Sequence, residues 1–522
     1  MSASPSRIPQ SRSSYSSITP SLVLVLYLLA MIALWTISTA ASHRAPYLDG
    51  MEGLIWASSL EWGYSKHPPL PTWIMYVLIE LFGREVWVSF FAGQLMSAVA
   101  LLFVYLFGCE ITSPRRALLA TVMVSVTMYF SLRSTIYNHN TAQLWSIAAC
   151  IWLFYRALKY DSMVNWIALG AVAALAMLTK YSALVQFAAF FIFMLIHGDL
   201  RRKSVQKGIL AAAIVFLVVM LPHLLWLIGN QFAPLHYADA SMESSSYLEA
   251  WKSIMAFVLD QLARLSPMIL LWGALWYWQR RKPIETLHLV TDETYAAMLN
   301  AGARQFLLWV GLGPFVLTVL ISAALGTSLT ASWGTTFFVL FGFYAFWKLK
   351  GNDRIWLQRT LVLAIGMQLV MALAYGLARG PIAEYAGRDA RSAFAGPELA
   401  EKLNTIWQQH VPDTPVPLVA SDRWFGGNIA LNLNRNTEVF ISADYFQSPW
   451  LNPETALNCG ALVVYAPHAK GYWSPQLIAL YESAGIKGEF EHHWSRSKHS
   501  PLFTVKWGII TPGPQCGLAK NE

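Results

Sequence analysis

The sequence predicts a mainly α-helical protein with many membrane-spanning helices and a smaller α/β domain at the C-terminal end. Of its 522 residues, 56% are hydrophobic and only 13% are charged. Long apolar segments recur up to about residue 378, and the remainder of the chain is hydrophilic. A soluble protein would carry roughly a quarter of charged residues. The chain is therefore expected to be an integral, polytopic membrane protein.

The apolar segments define the predicted transmembrane bundle. A helix needs about 17 to 25 apolar residues to cross the hydrocarbon core of a bilayer. About eleven segments come close to that length, at residues 20–41, 87–109, 116–132, 141–158, 163–178, 182–197, 208–229, 251–278, 305–324, 331–347 and 355–378. The apolar segment 70–82 is shorter and follows two prolines, so it is predicted to be a re-entrant or interfacial helix.

The distribution of Lys and Arg predicts the orientation. These residues are concentrated in alternate loops, around positions 115, 156, 201–207, 280–282 and 348–359, whereas the other loops contain only Arg44, Lys66, Arg84, Arg133 and Lys180. Cytoplasmic loops carry the excess of basic residues. We therefore expect residues 1–19 to be a disordered cytoplasmic leader, and both the first loop (42–86) and the C-terminal region (380–522) to lie outside. The net charge of +8 reflects this topology, and no nucleic acid partner is implied.

The external C-terminal region has the alternating pattern of a small α/β domain. Helices are predicted at 397–411, 426–433 and 475–484, and strands at 416–421, 438–442, 461–466, 487–494 and 502–510. Two of the four cysteines, Cys459 and Cys516, fall in this region. A disulfide between them is chemically allowed outside the cytoplasm, although their spacing does not prove it.

Reactive side chains gather at the predicted outer ends of the helices, far apart in sequence but on one face of the membrane. They are Asp49, Glu52, Tyr64, Lys66, His67, Arg133, Asn138, Asn140, Lys180 and Tyr181. Cations in such a cluster can hold a phosphate, and a carboxylate can accept a proton. The pattern favours a site at the level of the lipid headgroups, open to the outer compartment.

Three segments of this cluster resemble a known family. Residues 49–73, DGMEGLIWASSLEWGYSKHPPLPTW, are similar to the first-loop signature of the family 39 glycosyltransferases of the GT-C superfamily, a group that includes lipid A aminoarabinose transferases and protein O-mannosyltransferases. Residues 137–142 (YNHNTA) and 178–182 (LTKYS) are similar to later motifs and follow in the expected order. The resemblance covers about residues 20–230. It implies a GT-C catalytic domain at 20–379.

The resemblance also implies roles for individual residues. Asp49 matches the catalytic aspartate, so we expect it to be the general base for the acceptor hydroxyl, or to orient that hydroxyl; a helix N-cap is the structural alternative. Many members have Glu directly after this Asp, whereas this chain has Gly50 and a carboxylate at Glu52. Glu52 is therefore a second catalytic candidate that could equally be solvated.

The basic and amide residues are expected to bind the donor. Lys66, His67, Lys180 and Arg133 are predicted to contact the donor phosphate, and Asn138, Asn140, Tyr181 and Tyr64 the substrate. Lys66 could instead extend to the headgroups, and Arg133 could simply sit at the interface. Tyr64 could belong to an interfacial aromatic belt. Some relatives have Asp at position 140, so the two asparagines are interpreted as hydrogen-bond donors.

The predicted function is transfer of a sugar from a polyprenyl-phosphate donor to an envelope acceptor, with inversion, on the outer face of a bacterial inner membrane. By family analogy the favoured acceptor is lipid A or lipopolysaccharide. No cofactor is required by the sequence, although a divalent metal ion is possible because some relatives use one. The expected partners are the lipid-linked donor, a lipid or glycan acceptor and membrane lipids. The alternatives are a flippase for polyprenyl-linked sugars, although ionisable groups near the bilayer midplane are lacking, and a structural subunit.

Overall fold

The structure is a computed structural model that describes residues 19–281, 299–347, 353–467, 471, 473–514 and 516. The predicted leader lies outside these residues except for Thr19, whose side chain caps the first helix. Fifteen α-helices precede the C-terminal sheet domain in the described ranges. They are α1 (Pro20–Ser42), α2 (Leu48–Trp56), α3 (Leu70–Phe82), α4 (Val86–Ile111), α5 (Pro114–Ser125), α6 (His139–Tyr160), α7 (Met163–Thr179), α8 (Ala183–His197), α9 (Lys203–Gly229), α10 (Ala233–Ala240), α11 (Tyr247–Arg281), α12 (Ala301–Phe306), α13 (Gly313–Leu325), α14 (Asp353–Arg379) and α15 (Pro381–Tyr385).

Six helical segments among the described residues are long and apolar enough to cross a membrane, at Pro20–Ser42, Val86–Ile111, Lys203–Gly229, Tyr247–Trp278, Ala301–Leu325 and Ile355–Tyr385. Helices α3, α7 and α8 are apolar but shorter. The chain is thus a multi-pass membrane protein. The count of about eleven spans stays a prediction.

Two predicted spans differ from the structure. The helix predicted at 116–132 ends at Ser125, and turns and a 3-10 segment follow it. Residues 331–347 form two 3-10 segments joined by a turn, and no α-helix. The side-chain amide of Gln261 in α11 donates a hydrogen bond to the carbonyl of Ala331 (3.2 Å), and Gly334 packs against the same side chain. Close packing of this Gly- and Thr-containing segment on α11 replaces the regular helix that its hydropathy suggested.

Helix α9 shows how the bundle meets the lipid. Its apolar window is only 17% buried, and large aliphatic side chains are exposed along its length, namely Leu210, Ile214, Leu217, Val218, Leu221, Leu225 and Ile228. Exposed apolar area of this size is unfavourable in water and favourable in hydrocarbon. By contrast, α4 and α6 pack against each other in the bundle interior.

The C-terminal domain is a five-stranded mixed sheet with helices. Its elements are α16 (Gly396–His410), β1 (Leu418–Ser421), α17 (Arg423–Leu433), β2 (Glu438–Ile441), β3 (Ala461–Tyr465), α18 (Pro475–Ser483), β4 (Ile486–His493) and β5 (Leu502–Ile510). The strand order is β2-β1-β3-β5-β4. β1 pairs in parallel with β2 and β3, whereas β5 pairs antiparallel with β3 and β4. This confirms the predicted fold class, with α17 beginning three residues earlier than expected.

The C-terminal domain packs against the loop between α1 and α4. Helix α17 packs against α2, and the indole N–H of Trp424 donates to the carbonyl of Pro46 (2.9 Å), just before α2 begins. Residues of both regions share one apolar cluster, which includes Met51, Leu54 and Phe425. The position of α2 therefore depends on the C-terminal domain as well as on the bundle.

Cys459 and Cys516 form a disulfide in the structure, with 57 residues of sequence separation. Closing a loop of this length stabilises a domain by roughly 2 to 4 kcal/mol, mainly through the unfolded state. We expect the double variant Cys459→Ser with Cys516→Ser to lower the free energy of unfolding of the C-terminal domain by that amount. Denaturant unfolding of the full-length protein in detergent, followed by Trp fluorescence, measures the change. An unchanged midpoint relative to a Cys109→Ser control would contradict this prediction.

Candidate active site

Asp49 lies in the first turn of α2, and its side chain is exposed. The side-chain amide of Asn138 donates a hydrogen bond to Asp49 Oδ2 (3.0 Å). Oδ1 of the same Asn138 accepts from the backbone N–H groups of Asn140 and Thr141 (3.0 Å each), so Asn138 is the N-cap of α6. One carboxylate oxygen of Asp49 is thus fixed to the start of α6, while the side chain as a whole remains exposed.

Lys180 follows the last residue of α7 and is tied to the same end of α6. Its Nζ donates to Oδ1 of Asn140 (2.6 Å) and lies 5.6 Å from the centre of the Trp333 ring. Among the described residues, no carboxylate lies within ion-pair distance of this ammonium group. Burial lowers the pKa of Lys180 to about 8, and the nearby charge of Asp49 opposes that shift. A half-buried cation whose direct contacts are an amide oxygen and an aromatic ring is suited to bind an anion.

Asn138 and Asn140 therefore connect the two reactive groups. Asn138 donates to a carboxylate and Asn140 accepts from an ammonium group, and the predicted contacts of both asparagines with the substrate stay predictions. The N-terminus of α6, where backbone N–H groups point outward, adds partial positive charge beside them. A carboxylate and an ammonium group consequently flank one electropositive helix end.

Glu52 lies one turn after Asp49 and is only 6% exposed. Its Oε1 accepts from Lys66 Nζ and from Arg423 Nη1, both at 2.8 Å. Burial raises the pKa of Glu52 to about 7, against the opposing effect of Arg423. These contacts favour a positioning role for Glu52 over direct catalysis. They also direct Lys66 at a carboxylate, so its role as a phosphate ligand stays a prediction.

The His67 ring lies against that of His139, with ring centres 3.5 Å apart and planes tilted by 36°, and it contacts the Tyr237 ring edge to face at 5.6 Å. Burial, together with the charges of His139 and Lys180, lowers the pKa of His67 well below its usual value. The imidazole is consequently neutral at neutral pH. Any contact between His67 and a phosphate would then be a neutral hydrogen bond, in contrast to the cationic contact that the sequence suggested.

The two tyrosines predicted to bind substrate are engaged within the protein. Tyr64 is 2% exposed, stacks on Trp56 with ring centres 5.0 Å apart, and donates its hydroxyl to the carbonyl of Ser59 (2.7 Å). The hydroxyl of Tyr181 is hydrogen-bonded to His223 Nε2 (2.8 Å). These contacts favour packing roles, and the two substrate-binding assignments stay predictions.

Arg133 lies near a second arginine, Arg264, which the sequence analysis did not single out. Arg133 lies in a 3-10 turn, and its electrostatic neighbours are Tyr47, Tyr375, Asp260 and Arg264. Tyr47 is the residue immediately before α2, so this group adjoins the Asp49 site.

Arg264 lies in the middle of α11, where the sequence reading placed almost no ionisable residues. It pairs with Asp260 (3.1 Å), and its Nη1 is buried with no hydrogen-bond partner in the described part of the chain. An arginine within an apolar span signals function by default, and the i, i+4 spacing of Asp260 and Arg264 could have revealed it.

In the described part of the chain, no three His, Cys, Asp or Glu side chains come together in a group that could hold a metal ion. The groups around Asp49 are instead amides, amines and guanidinium groups. All of them are N–H hydrogen-bond donors, and the amines and guanidinium groups are also positively charged.

The bundle, the helix in its first long loop and the C-terminal sheet domain together have the fold of a solved membrane protein, ArnT. The crystal structure of ArnT from Cupriavidus metallidurans bound to undecaprenyl phosphate matches with a TM-score of 0.61 at 14% identity, covering 95% of this chain and 99% of ArnT. The apo structure of ArnT matches equally well, with a TM-score of 0.61 at 15% identity.

Sequence comparisons agree with this similarity. The family model described as dolichyl-phosphate-mannose-protein mannosyltransferase matches residues 66–226. The lipopolysaccharide core galacturonosyltransferase RgtA of Rhizobium johnstonii is 22% identical over 405 residues, which cover 74% of this chain and 75% of RgtA. The lipid A galacturonosyltransferase RgtD of the same organism is 22% identical over 316 residues, 58% of this chain and 60% of RgtD. The chain therefore resembles the GT-C glycosyltransferases, as its motifs predicted.

Proposed function

We propose that the protein transfers a sugar from a polyprenyl-phosphate donor to lipopolysaccharide, at its core or lipid A, on the outer face of a bacterial inner membrane. The observation that carries this proposal is the arrangement at the start of α6, where Asn138 holds Asp49 and Asn140 holds Lys180. This arrangement offers a base beside an anion-binding cation. Both are needed when a hydroxyl displaces a phosphate from a sugar.

The reaction is a single displacement at the anomeric carbon. The acceptor hydroxyl gives its proton to the Asp49 carboxylate while its oxygen forms a bond to the anomeric carbon. The bond between that carbon and the phosphate oxygen breaks, and the polyprenyl phosphate leaves with the electron pair. Lys180, with Arg133 and Arg264 in the adjoining group, stabilises the charge that develops on the phosphate. Attack from the face opposite the leaving group inverts the anomeric centre.

The transferred sugar in this proposal is a hexuronic acid. The relatives RgtA and RgtD are named as galacturonosyltransferases, which supports a hexosyl donor over a pentosyl one. A hexuronic acid adds a carboxylate to the donor, and the cations around Asp49 are electrostatically suited to a substrate that carries both phosphate and carboxylate. The ArnT structure with bound undecaprenyl phosphate supports the polyprenyl-phosphate part.

The Cys459–Cys516 disulfide supports a periplasmic C-terminal domain, because disulfides persist in oxidising compartments. The basic residues of the alternate loops support a cytoplasmic N-terminus. The active site would then face the compartment in which lipopolysaccharide precursors are exposed after they cross the membrane. The donor would reach it by lateral diffusion.

Transfer by the purified full-length protein tests the proposal. The donors are polyprenyl phosphates carrying galacturonic acid, galactose or aminoarabinose, and the acceptor is lipopolysaccharide lacking the corresponding sugar. We expect mass spectrometry to detect a gain of one hexuronic acid residue on the acceptor, at least tenfold faster than with galactose. Equal rates with the three donors would contradict the assignment of the sugar. Movement of labelled donor between leaflets of proteoliposomes without transfer would contradict the transferase and support the flippase alternative.

A further inference from the structure

The C-terminal domain contacts the segment that immediately precedes Asp49 in the chain. Arg44 Nη2 donates to both oxygens of Glu398 in the first turn of α16, at 2.8 Å each. Two residues later along the chain, the carbonyl of Pro46 accepts from Trp424. Both contacts lie within five residues of Asp49. The entry into α2 is therefore fixed by the soluble domain.

A third contact lies on the C-terminal side of Asp49 and differs in character, because it is a cluster of three charged side chains around the buried carboxylate of Glu52. Arg423, the first residue of α17, and Lys66, in the loop after α2, share one oxygen of Glu52. The side chains of Glu52, Lys66 and Arg423 are 8%, 14% and 20% exposed. Arg423 is 371 residues from Glu52 in sequence, so this ion pair joins two distant parts of the chain next to the candidate site.

Buried ion clusters depend strongly on having all their members. Removal of one partner leaves the others desolvated and without compensation, and the surrounding structure moves to relieve this. Asp49 and Glu52 are three positions apart (i, i+3) on one short helix, and residues with this spacing are neighbours on the helix surface. A displacement of Glu52 is consequently transmitted to the Asp49 carboxylate.

We infer that Arg423 is a positioning residue for the transfer reaction: by holding Glu52, the C-terminal domain fixes the direction of the Asp49 carboxylate. The inference rests on the proposed function for the reaction that it serves, and it assigns the soluble domain a part in the active site. Arg423 touches neither donor nor acceptor in this scheme. It acts through Glu52 and helix α2.

The ionisation of Glu52 supplies a signature of this role. The charged or titratable groups that face Glu52 are Asp49 on its own helix, Lys66, Arg423 and Tyr237. Only ionised Glu52 attracts both cations, so kcat should rise with pH through the Glu52 pKa, which burial raises to about 7. Loss of Arg423 removes the charge that opposes this shift. The acid limb of the profile should then move to higher pH.

The test compares pH profiles of transfer by full-length Arg423→Gln, Arg423→Lys and Glu52→Gln with wild type. We expect Arg423→Gln to lower kcat at pH 7 by about 10²-fold, since a misplacement of about 1 Å has that effect, while the KM for donor stays within about threefold. Arg423→Lys should recover much of the rate, and Glu52→Gln should lack the acid limb. Arg388→Gln, an exposed arginine of the same region, serves as the matched control.

The outcomes separate the inference from the proposed function. No transfer by wild type with any donor would contradict the proposed function itself. Wild-type transfer combined with an Arg423→Gln profile unchanged in height and position would overturn the inference alone. An equal loss at every pH that Arg423→Lys does not restore would also overturn it, because a merely structural contact has no reason to move the acid limb. If Arg423→Gln does not yield a monodisperse protein in detergent, the Arg423→Lys and Glu52→Gln profiles decide.

Discussion

Replacement of Asp49 by Asn is expected to lower kcat for sugar transfer by about 10³-fold, since general base catalysis contributes 10²–10⁴-fold. Asn is close to Asp in size and can still accept the hydrogen bond that Asn138 donates to Oδ2, but it cannot take the proton of the acceptor hydroxyl. Because Asp49 is exposed, the variant should fold normally. The measurement is kcat by mass spectrometry of the acceptor at saturating donor.

The matched control for this experiment is Glu401→Gln, which neutralises an exposed carboxylate on α16. It should retain wild-type kcat. The affinity of Asp49→Asn for polyprenyl phosphate should be unchanged or slightly increased, because a negative charge near the phosphate site has been removed. A decrease in kcat of less than tenfold would rule out Asp49 as the base.

Replacement of Lys180 by Met is expected to lower kcat/KM for the donor by 10²–10³-fold, the range found when one preorganised charge-stabilising donor is removed. The affected interaction is with the phosphate, which is both part of the bound donor and the leaving group. Binding of polyprenyl phosphate itself should weaken as well. Titration of binding by intrinsic fluorescence, alongside the kinetics, measures both effects.

The pH dependence provides a second measure of the same group. Burial lowers the pKa of Lys180 to about 8, so the ammonium form predominates below pH 8 and is lost as the pH rises through that value. Affinity of the wild type for polyprenyl phosphate should therefore fall above pH 8. Lys180→Arg should bind without this decrease, because guanidinium stays charged. Lys498→Met, at an exposed position, is the control, and equal affinities of Lys180→Met and the control would exclude Lys180 from the phosphate site.

The chain order of helices and strands could be predicted well because hydropathy and its period depend on local sequence. The parallel strand β1, buried along its whole length, reads as an apolar run in the sequence. The 3-10 structure of residues 331–347 could not be predicted in this way. Hydropathy records that a segment is buried in lipid or protein, but the side chain of Gln261 that displaces regular helix there comes from a different part of the chain.

The candidate site divides along the same line. The loop motifs singled out Asp49, Asn138 and Lys180 as candidates, since each belongs to a short motif that can be recognised in the sequence alone. Arg423 could not be found, because nothing around it in sequence marks it as a partner of Glu52. The neutral state of His67 was equally hidden, since it depends on burial and on His139. Sequence shows which ionisable groups exist, whereas their charge state depends on the neighbours that folding brings.

The close approach of α17 to α2 restricts how this protein can be recombined with its relatives. A Cβ at Gly427 would lie 2.6 Å from Met51 Sδ and 2.7 Å from a methyl carbon of Ile55, so a larger residue there requires smaller ones on α2. A hybrid enzyme that takes its soluble domain from RgtA would meet a helix α2 shaped for another partner. A functional hybrid would therefore require that residues 44–56 and residues 396–433 be exchanged together, although two distant parts of the gene encode them.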